Sequence, residues 1–397
     1  MTEGQKLNRV LMISSDRGMF EEGTSIRGRI IEYAEFAREL HIIVFAEKKR
    51  KLENIHVGSN VFVYPTNSSS RWGYIRDAMR IARSLRNEEL VVPDVTTCQD
   101  PFETGWVGYK LKKKYGGCLQ IQIHTDFLSK EFQKKSLLNR VRVVMAKRTL
   151  KAASCIRVVS KRIQDSLIAS KWDIAQNIVS LPVFVDKDTY ADTNAFDSEI
   201  STLREKYKQF QFVILVVARL TKEKNIPVAL HVLDEVCKKH PGVGMVIVGD
   251  GPEKRELEKI VHRLGLEDKV VFEPWTERIA PYYKAANMFL LTSDYEGYSM
   301  VLIEAMLSSC PVVATSVGVT DMYIRNGVTG FVCPVGDVFC LAEKVGRLVS
   351  EQSLGQVLTV KARQEVSESL HNKKEYLTLY ENSWQMCCEA SAKSAGG

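Results

Sequence analysis

The sequence predicts an α/β protein made of two doubly wound domains. Short apolar runs alternate with helical patterns almost from end to end, and the rhythm breaks once, between about Leu181 and Lys208, before restarting. At 397 residues the chain also exceeds one ordinary core, since domains usually hold about 100–200 residues.

Val10 to Ile13 reads as a buried strand leading into a Gly-containing loop, Ser14 to Thr24. Apolar residues at Ile26, Ile30, Tyr33, Ala34, Ala37 and Leu40 then form one stripe at helical spacing, which predicts a helix. Further strands are expected at Ile42 to Phe45, Val61 to Tyr64, Leu90 to Val92, Gln120 to Ile123 and Ile156 to Val159. Pro182 and the polar stretch Asp186 to Asp197 read as a linker. Beyond it, Phe212 to Val217, Gly244 to Val248, Lys269 to Phe272 and Met288 to Leu291 are strands, with helices around 225–239, 252–264 and 299–308. From Leu354 to Ala392 the pattern is helical, with Tyr376, Leu377, Tyr380 and Trp384 on one spacing. Two such domains suggest a ligand cleft between the carboxyl ends of both sheets.

Composition narrows the function classes. With 45% apolar and 26% charged residues the chain is neither fibrous nor disordered. Apolar runs such as Phe212 to Ala218 are about a third of the length of a membrane span, and Met1 to Val10 lacks a secretory apolar region, so a cytoplasmic protein is expected. Nine scattered cysteines with no C-x-x-C pair argue against a disulfide framework or a zinc site, and Cys387 and Cys388 read as two faces of a helix. The net charge of +7 is uneven: residues 1–180 carry 31 Lys+Arg against 19 Asp+Glu, whereas the remainder is mildly acidic. That basic half favours an anionic acceptor or peripheral contact with the inner membrane face. Nucleic acid is not expected, because no recognised binding signature accompanies the charge.

Two stretches carry the chemistry. In Asp294-Tyr295-Glu296-Gly297-Tyr298-Ser299-Met300-Val301-Leu302-Ile303-Glu304, a loop opens a helix, so free N–H groups and a positive dipole end await an anion. Glu296 can accept sugar hydroxyls, and Glu304 can accept a ribose diol. In Val216-Val217-Ala218-Arg219-Leu220-Thr221-Lys222-Glu223-Lys224-Asn225, a strand delivers Arg219 and Lys224 to a loop where two cations could neutralise a diphosphate. Asp186-Lys187-Asp188 mimics an Asp-x-Asp metal motif, but it falls in the linker, so no metal is expected there. A dinucleotide oxidoreductase is disfavoured because no G-x-G-x-x-G follows the first strand.

Together with Val248-Gly249-Asp250-Gly251-Pro252, these stretches resemble the donor-binding half of GT-B glycosyltransferases of retaining family 4, the glycosyl transferases group 1. Gln99-Asp100-Pro101-Phe102-Glu103 with Gly105, and Gln122-Ile123-His124-Thr125-Asp126-Phe127, resemble that family's acceptor domain. The resemblance implies two Rossmann-like domains facing across a cleft, 1–182 on the acceptor side and 183–373 binding the donor, with a C-terminal helix of about 374–395 packing back on the first. It implies transfer of a sugar from a nucleoside-diphosphate sugar to an acceptor hydroxyl of a glycolipid, polysaccharide or other glycoconjugate, with retention and with neither metal nor cofactor. His124, Arg219, Lys224 and Glu296 would be catalytic. Gly23, Asp126, Trp275, Gly297, Tyr298, Ser299, Met300 and Glu304 would bind substrate, with Trp275 near the base. Ser299 stands where many members have Gly, and Glu22-Gly23-Thr24 replaces a Gly-Gly pair. The rival readings are a GT-B nucleotide-sugar hydrolase or epimerase and a non-catalytic nucleotide-sugar-binding protein.

Overall fold

The computed structural model describes residues 7–87, 93–174, 177–191 and 196–395. The chain divides into two units, one of residues 1–182 with 373–397, the other of residues 183–372.

In the first unit eight strands make one sheet. They are β1 (Leu7–Ser14), β2 (Ala37–Val44), β3 (Ile55–Val57), β4 (Val61–Pro65), β5 (Val95–Cys98), β6 (Cys118–Ile123), β7 (Cys155–Val158) and β8 (Ile178–Ser180). Their order is β3-β4-β2-β1-β5-β6-β7-β8, and every pairing but β3–β4 is parallel. The connecting helices are α1 (Ser25–Tyr33), α2 (Tyr74–Asn87), α3 (Glu103–Tyr115), α4 (Lys130–Lys135), α5 (Leu137–Ala152) and α6 (Lys161–Ala169). Side-chain caps fix several starts: Thr24, Ser129, Ser136 and Ser160 each accept a hydrogen bond from a first-turn N–H of α1, α4, α5 and α6.

The second unit opens with α7 (Lys187–Ala191) and α8 (Asp197–Lys206). Its sheet comprises β9 (Phe212–Val217), β10 (Val243–Val248), β11 (Val270–Glu273), β12 (Met288–Leu291), β13 (Val312–Thr315) and β14 (Phe331–Cys333), all parallel, in the order β11-β10-β9-β12-β13-β14. Helices α9 (Ile226–Cys237), α10 (Lys254–Leu264), α11 (Ala280–Ala285), α12 (Met300–Leu307), α13 (Thr320–Tyr323), α14 (Val338–Ser350) and α15 (Gln352–Ser369) cover it. The central strand β9 is apolar throughout because both its faces are packed, the pattern of a parallel sheet between helices. Last comes α16 (Lys373–Ala395), which belongs to the first unit. Its Tyr380 ring stacks on Tyr33 at 4.0 Å, and Trp384 packs edge-on against Phe36.

Several expectations need correction. The helix read across Ile26 to Leu40 stops at Tyr33, and Ala37 and Leu40 belong to β2, where, three residues apart, they are buried on opposite faces of the sheet. The linker is partly helical, since α7 and α8 lie within it. Strands β3, β5, β8, β13 and β14 went unread because they are short or, in β5, threonine-rich. The run Leu90 to Val92 lies outside the described residues. Cys333 and Cys340 form a disulfide from the end of β14 to the first turn of α14, although the scattered cysteines had argued against disulfide pairing. Cys387 is buried and Cys388 half-buried, as two faces of a helix require.

Candidate functional site

In the second unit the strand order reverses between β9 and β12, so the loops leaving their carboxyl ends part and leave a crevice, the position where doubly wound sheets take ligands. Both chemistry-bearing stretches emerge there. The first loop is held by β10. Leu220 N–H donates to Asp250 O at 2.9 Å and Glu253 N–H donates to Leu220 O at 3.1 Å. That approach requires glycine: a Cβ at Gly249 would lie 1.9 Å from Ala218 O, and one at Gly251 2.4 Å from Leu220 O.

On this scaffold the Lys224 ammonium donates to Glu296 Oε1 at 2.6 Å, and Ser293 Oγ donates to the same oxygen at 2.7 Å. The pair is largely shielded from solvent. Asn225 Nδ2 donates to Asp294 Oδ1, and Asp294 N–H donates to Glu223 O, stitching one loop to the other. Arg219 projects into solvent, 3.5 Å from Glu223, whose carboxylate also accepts from Thr221 Oγ1. An ammonium has three donors, so Lys224 keeps two beyond Glu296. The crevice therefore carries two cations, one shielded and one exposed.

The loop then turns into α12 through Ser299 at φ +70°, a left-handed conformation that costs a non-glycine residue strain. Ser299 Oγ is buried, makes no cap bond and has no hydrogen-bond partner. Gly297 and Ser299 are buried and Met300 is half-buried, so these positions offer backbone N–H groups more than side chains. The Tyr298 ring is buried, with its hydroxyl 3.5 Å from that of Tyr323, so this position offers a ligand its backbone. Glu304 is 8% exposed and already engaged, accepting from Tyr283 Oη at 3.0 Å and from Tyr190. Burial raises its carboxyl above the ordinary glutamate range, and the two tyrosine hydroxyls partly offset that. The spacing of the motif gave no sign of either tyrosine. Trp275, on the loop after β11, is 64% exposed, free to offer a ring face. Asp186 accepts from Asp188 N–H and Thr189 Oγ1, so its carboxylate caps α7.

In the first unit, His124 and Asp126 follow the carboxyl end of β6, and Gly23 lies in the loop after β1, at the same edge of that parallel sheet. Gly23 holds φ +76° with open space around its Cα. Asp126 is half-buried, and burial raises its carboxyl while Arg162 pulls it back. His124 keeps part of its surface in solvent, yet the protein around the ring, then the Arg157 and Arg29 guanidiniums, lower its pKa. The exposed edge moderates the shift, whose direction leaves the ring neutral at pH 7. A residue the sequence did not flag orients it. Gln122 Oε1 accepts from Arg157 Nη1 at 2.8 Å and faces His124 Nε2 at 3.1 Å, while Gln122 Nε2 donates to Thr97 Oγ1 and Tyr380 Oη. Because arginine only donates, the amide oxygen must face it; Nε2 of His124 then carries the proton, and Nδ1 is the acceptor.

Comparison with known proteins bears on this geometry. Residues 199–365 match the family model for glycosyl transferases group 1. The chain is 24% identical over 306 residues to the alpha-monoglucosyldiacylglycerol synthase of Acholeplasma laidlawii, covering 74% of this chain and 76% of that protein. It is 26% identical over 202 residues to the N-acetyl-alpha-D-glucosaminyl L-malate synthase of Bacillus anthracis, a match spanning 50% of this chain and 51% of that protein. Among solved structures it resembles sucrose-phosphate synthase of Thermosynechococcus elongatus, with TM-score 0.80, 18% identity and coverage of 96% and 100% of the two chains. It also resembles the Anabaena protein HepE in complex with UDP-glucose, with TM-score 0.73, 21% identity and coverage of 96% and 99%. The two doubly wound units are those of the GT-B fold. Residues 199–365, most of the unit built around the β9–β12 crevice, are thus similar to the glycosyl transferases group 1.

Proposed function

We propose that this protein transfers a sugar from a nucleoside-diphosphate sugar to an acceptor hydroxyl with retention of anomeric configuration. The observation that carries the reading is the shielded Lys224–Glu296 pair beside exposed Arg219 at the β9–β12 switch point, directly before the uncapped start of α12. As the anomeric bond breaks, charge grows on the departing diphosphate; Arg219, the two remaining Lys224 donors and the N–H groups entering α12 stabilise it. Both bonds to Glu296 fall on Oε1, so Oε2 is available to sugar hydroxyls. Glu304 holds the ribose with its remaining lone pairs, and Trp275 faces the base. In the first unit, neutral His124 contacts the transferred sugar, its Nδ1 accepting a hydrogen bond from a hydroxyl, while Gly23 and Asp126 line the acceptor side. No step calls for a metal ion or a cofactor.

The acceptor is anionic or held at a membrane surface, a reading supported by the basic first half. Among the described residues no helix is long and apolar enough to cross a membrane. The setting proposed is cytoplasmic, with contact at the inner membrane face; seven cysteines are free, and the Cys333–Cys340 disulfide is unusual for such a setting.

The test is thermal denaturation against a panel of nucleotide sugars, followed by product analysis with and without acceptor. A matching donor at about 100 times its Kd should stabilise the protein by roughly 2.7 kcal/mol. Turnover that ignores every acceptor would indicate a hydrolase or epimerase, and stabilisation without turnover a binding protein. Inversion in the product would overturn the retaining assignment.

A further inference from the structure

Helix α5 is anchored on one side and unusual on the other. Its inner face buries Asn139, Ala146, Thr149 and Leu150; Asn139 Nδ2 donates to Phe132 O and Thr149 Oγ1 donates to Pro101 O. Its outer face carries Leu137, Val141 and Val144, which are 76%, 54% and 59% exposed and are spaced i, i+4, i+7. That spacing lines them up as one ridge, with Leu138, 45% exposed, beside it. Exposed leucines and valines scattered singly are ordinary, but a continuous ridge is not.

The ridge runs through a field of cations. Residues 130–152 contain eight Lys or Arg and a single acid, Glu131. Arg142 turns inward to Glu103, Lys151 pairs with Asp173, and Lys147 lies over the Trp172 ring. Lys130, Lys134, Arg140 and Arg148 are exposed along the ridge or on α4 next to it. Phosphates alone would reward the cations but not the aliphatic side chains between them. A protein partner would be expected to meet aromatic anchors, and α5 has none. An anionic bilayer rewards both: headgroups take the guanidinium and ammonium groups, and the interfacial hydrocarbon takes the ridge.

We propose that the outer face of α5 lies in the interface of an anionic lipid bilayer, inserting Leu137, Val141 and Val144 while Lys130, Lys134, Arg140 and Arg148 bind headgroup phosphates. This rests on the proposed function for its purpose, since it would hold the enzyme against a membrane-held acceptor. Its physical basis is the helix alone.

The experiment is flotation of the full-length protein with vesicles of phosphatidylcholine alone or of equimolar phosphatidylcholine and phosphatidylglycerol. Binding is expected only to the second. A cation near an anionic surface is worth roughly fivefold in partitioning, so Arg140→Gln with Arg148→Gln should weaken it by about 25-fold. Leu137→Ser with Val141→Ser should weaken it by at least about tenfold, and Val144→Trp should give tryptophan emission that shifts to the blue on the anionic vesicles. Equal binding to both vesicle types, unchanged binding in either double variant, or unshifted emission would overturn the proposal; the last would also point to a protein partner for this face. The nucleotide-sugar thermal shift on the same variants separates the two ideas. Lost vesicle binding with an intact donor shift bears on α5 alone, and a wild type that floats but answers to no nucleotide sugar would sink the functional reading and leave this one standing.

Discussion

Lys224 and Glu296 depend on each other. Removing either leaves a mostly shielded charge with fewer partners, so Lys224→Ala and Glu296→Ala should each cost about 1–3 kcal/mol of stability. A double-mutant cycle by urea denaturation should show them coupled; additive losses would mean that the pair is solvated in practice. At Glu304 the sign of the pH effect can be worked out. Its raised carboxyl binds a proton more tightly in the folded than in the unfolded state, so its contribution to stability is full below the ordinary glutamate pKa and is lost as pH rises through the folded value. Glu304→Gln should flatten that segment of the stability-against-pH curve and weaken donor binding by roughly 1–3 kcal/mol. Ser299 gives a third case. Its left-handed φ costs about 1–2 kcal/mol, and glycine would relieve that at an unfolded-state cost of about 0.4–1 kcal/mol. Ser299→Gly should therefore change stability by no more than about 1 kcal/mol, whereas Ser299→Val, β-branched at a buried position, should lose more than about 2 kcal/mol. Glycine at this point of the resembled family and serine here thus meet the same backbone demand.

Among the elements, the loop after β10 sets the position of Arg219 and Lys224. A methyl group at Gly251 meets the backbone oxygen of Leu220, which cannot rotate away as a side chain could. Gly251→Ala should cost more than about 2 kcal/mol and loosen donor binding together with stability, as equilibrium unfolding and calorimetric titration would report. The same scale shows what the sequence reveals. β1, β9, β10 and β12 were legible because parallel strands packed on both faces become unbroken apolar runs. β5, with its Val-Thr-Thr-Cys, looks like a polar loop, since its burial comes from neighbouring strands and not from its own hydrophobicity. Arg219, Lys224 and Glu296 were singled out by their place beside strand ends and by the family resemblance, and the fold brings all three to one crevice. Tyr190 and Tyr283 were not, because each reaches the Glu304 carboxylate from a remote segment that no local spacing encodes; Gln122 stands two residues before His124, but its orienting role depends on Arg157, 35 residues away.

For the molecule as a whole, α16 is the last element to join the first unit. Gln120 and Gln122, buried in β6, spend side-chain donors on Ser383 and on the Tyr380 hydroxyl, and Arg157 donates to Tyr376 Oη. Removing the helix would strip partners from three buried polar side chains as well as exposing an apolar face. Trp384→Ala should cost about 3–5 kcal/mol. Deletion from Lys373 onward should speed proteolysis of peptides from residues 7–174 while sparing those from 196–369; equal sensitivity in both regions would show that the helix is dispensable.

The first unit is split by 190 residues, Val183 to Asn372, before its closing helix is made. On a ribosome adding about 5–20 residues per second, its nascent sheet waits roughly 10–40 s with the seat of α16 uncovered, while the second unit can already close. Biosynthesis should thus complete the later-made half first, leaving the earlier half dependent on chaperones until the final turns emerge from the exit tunnel.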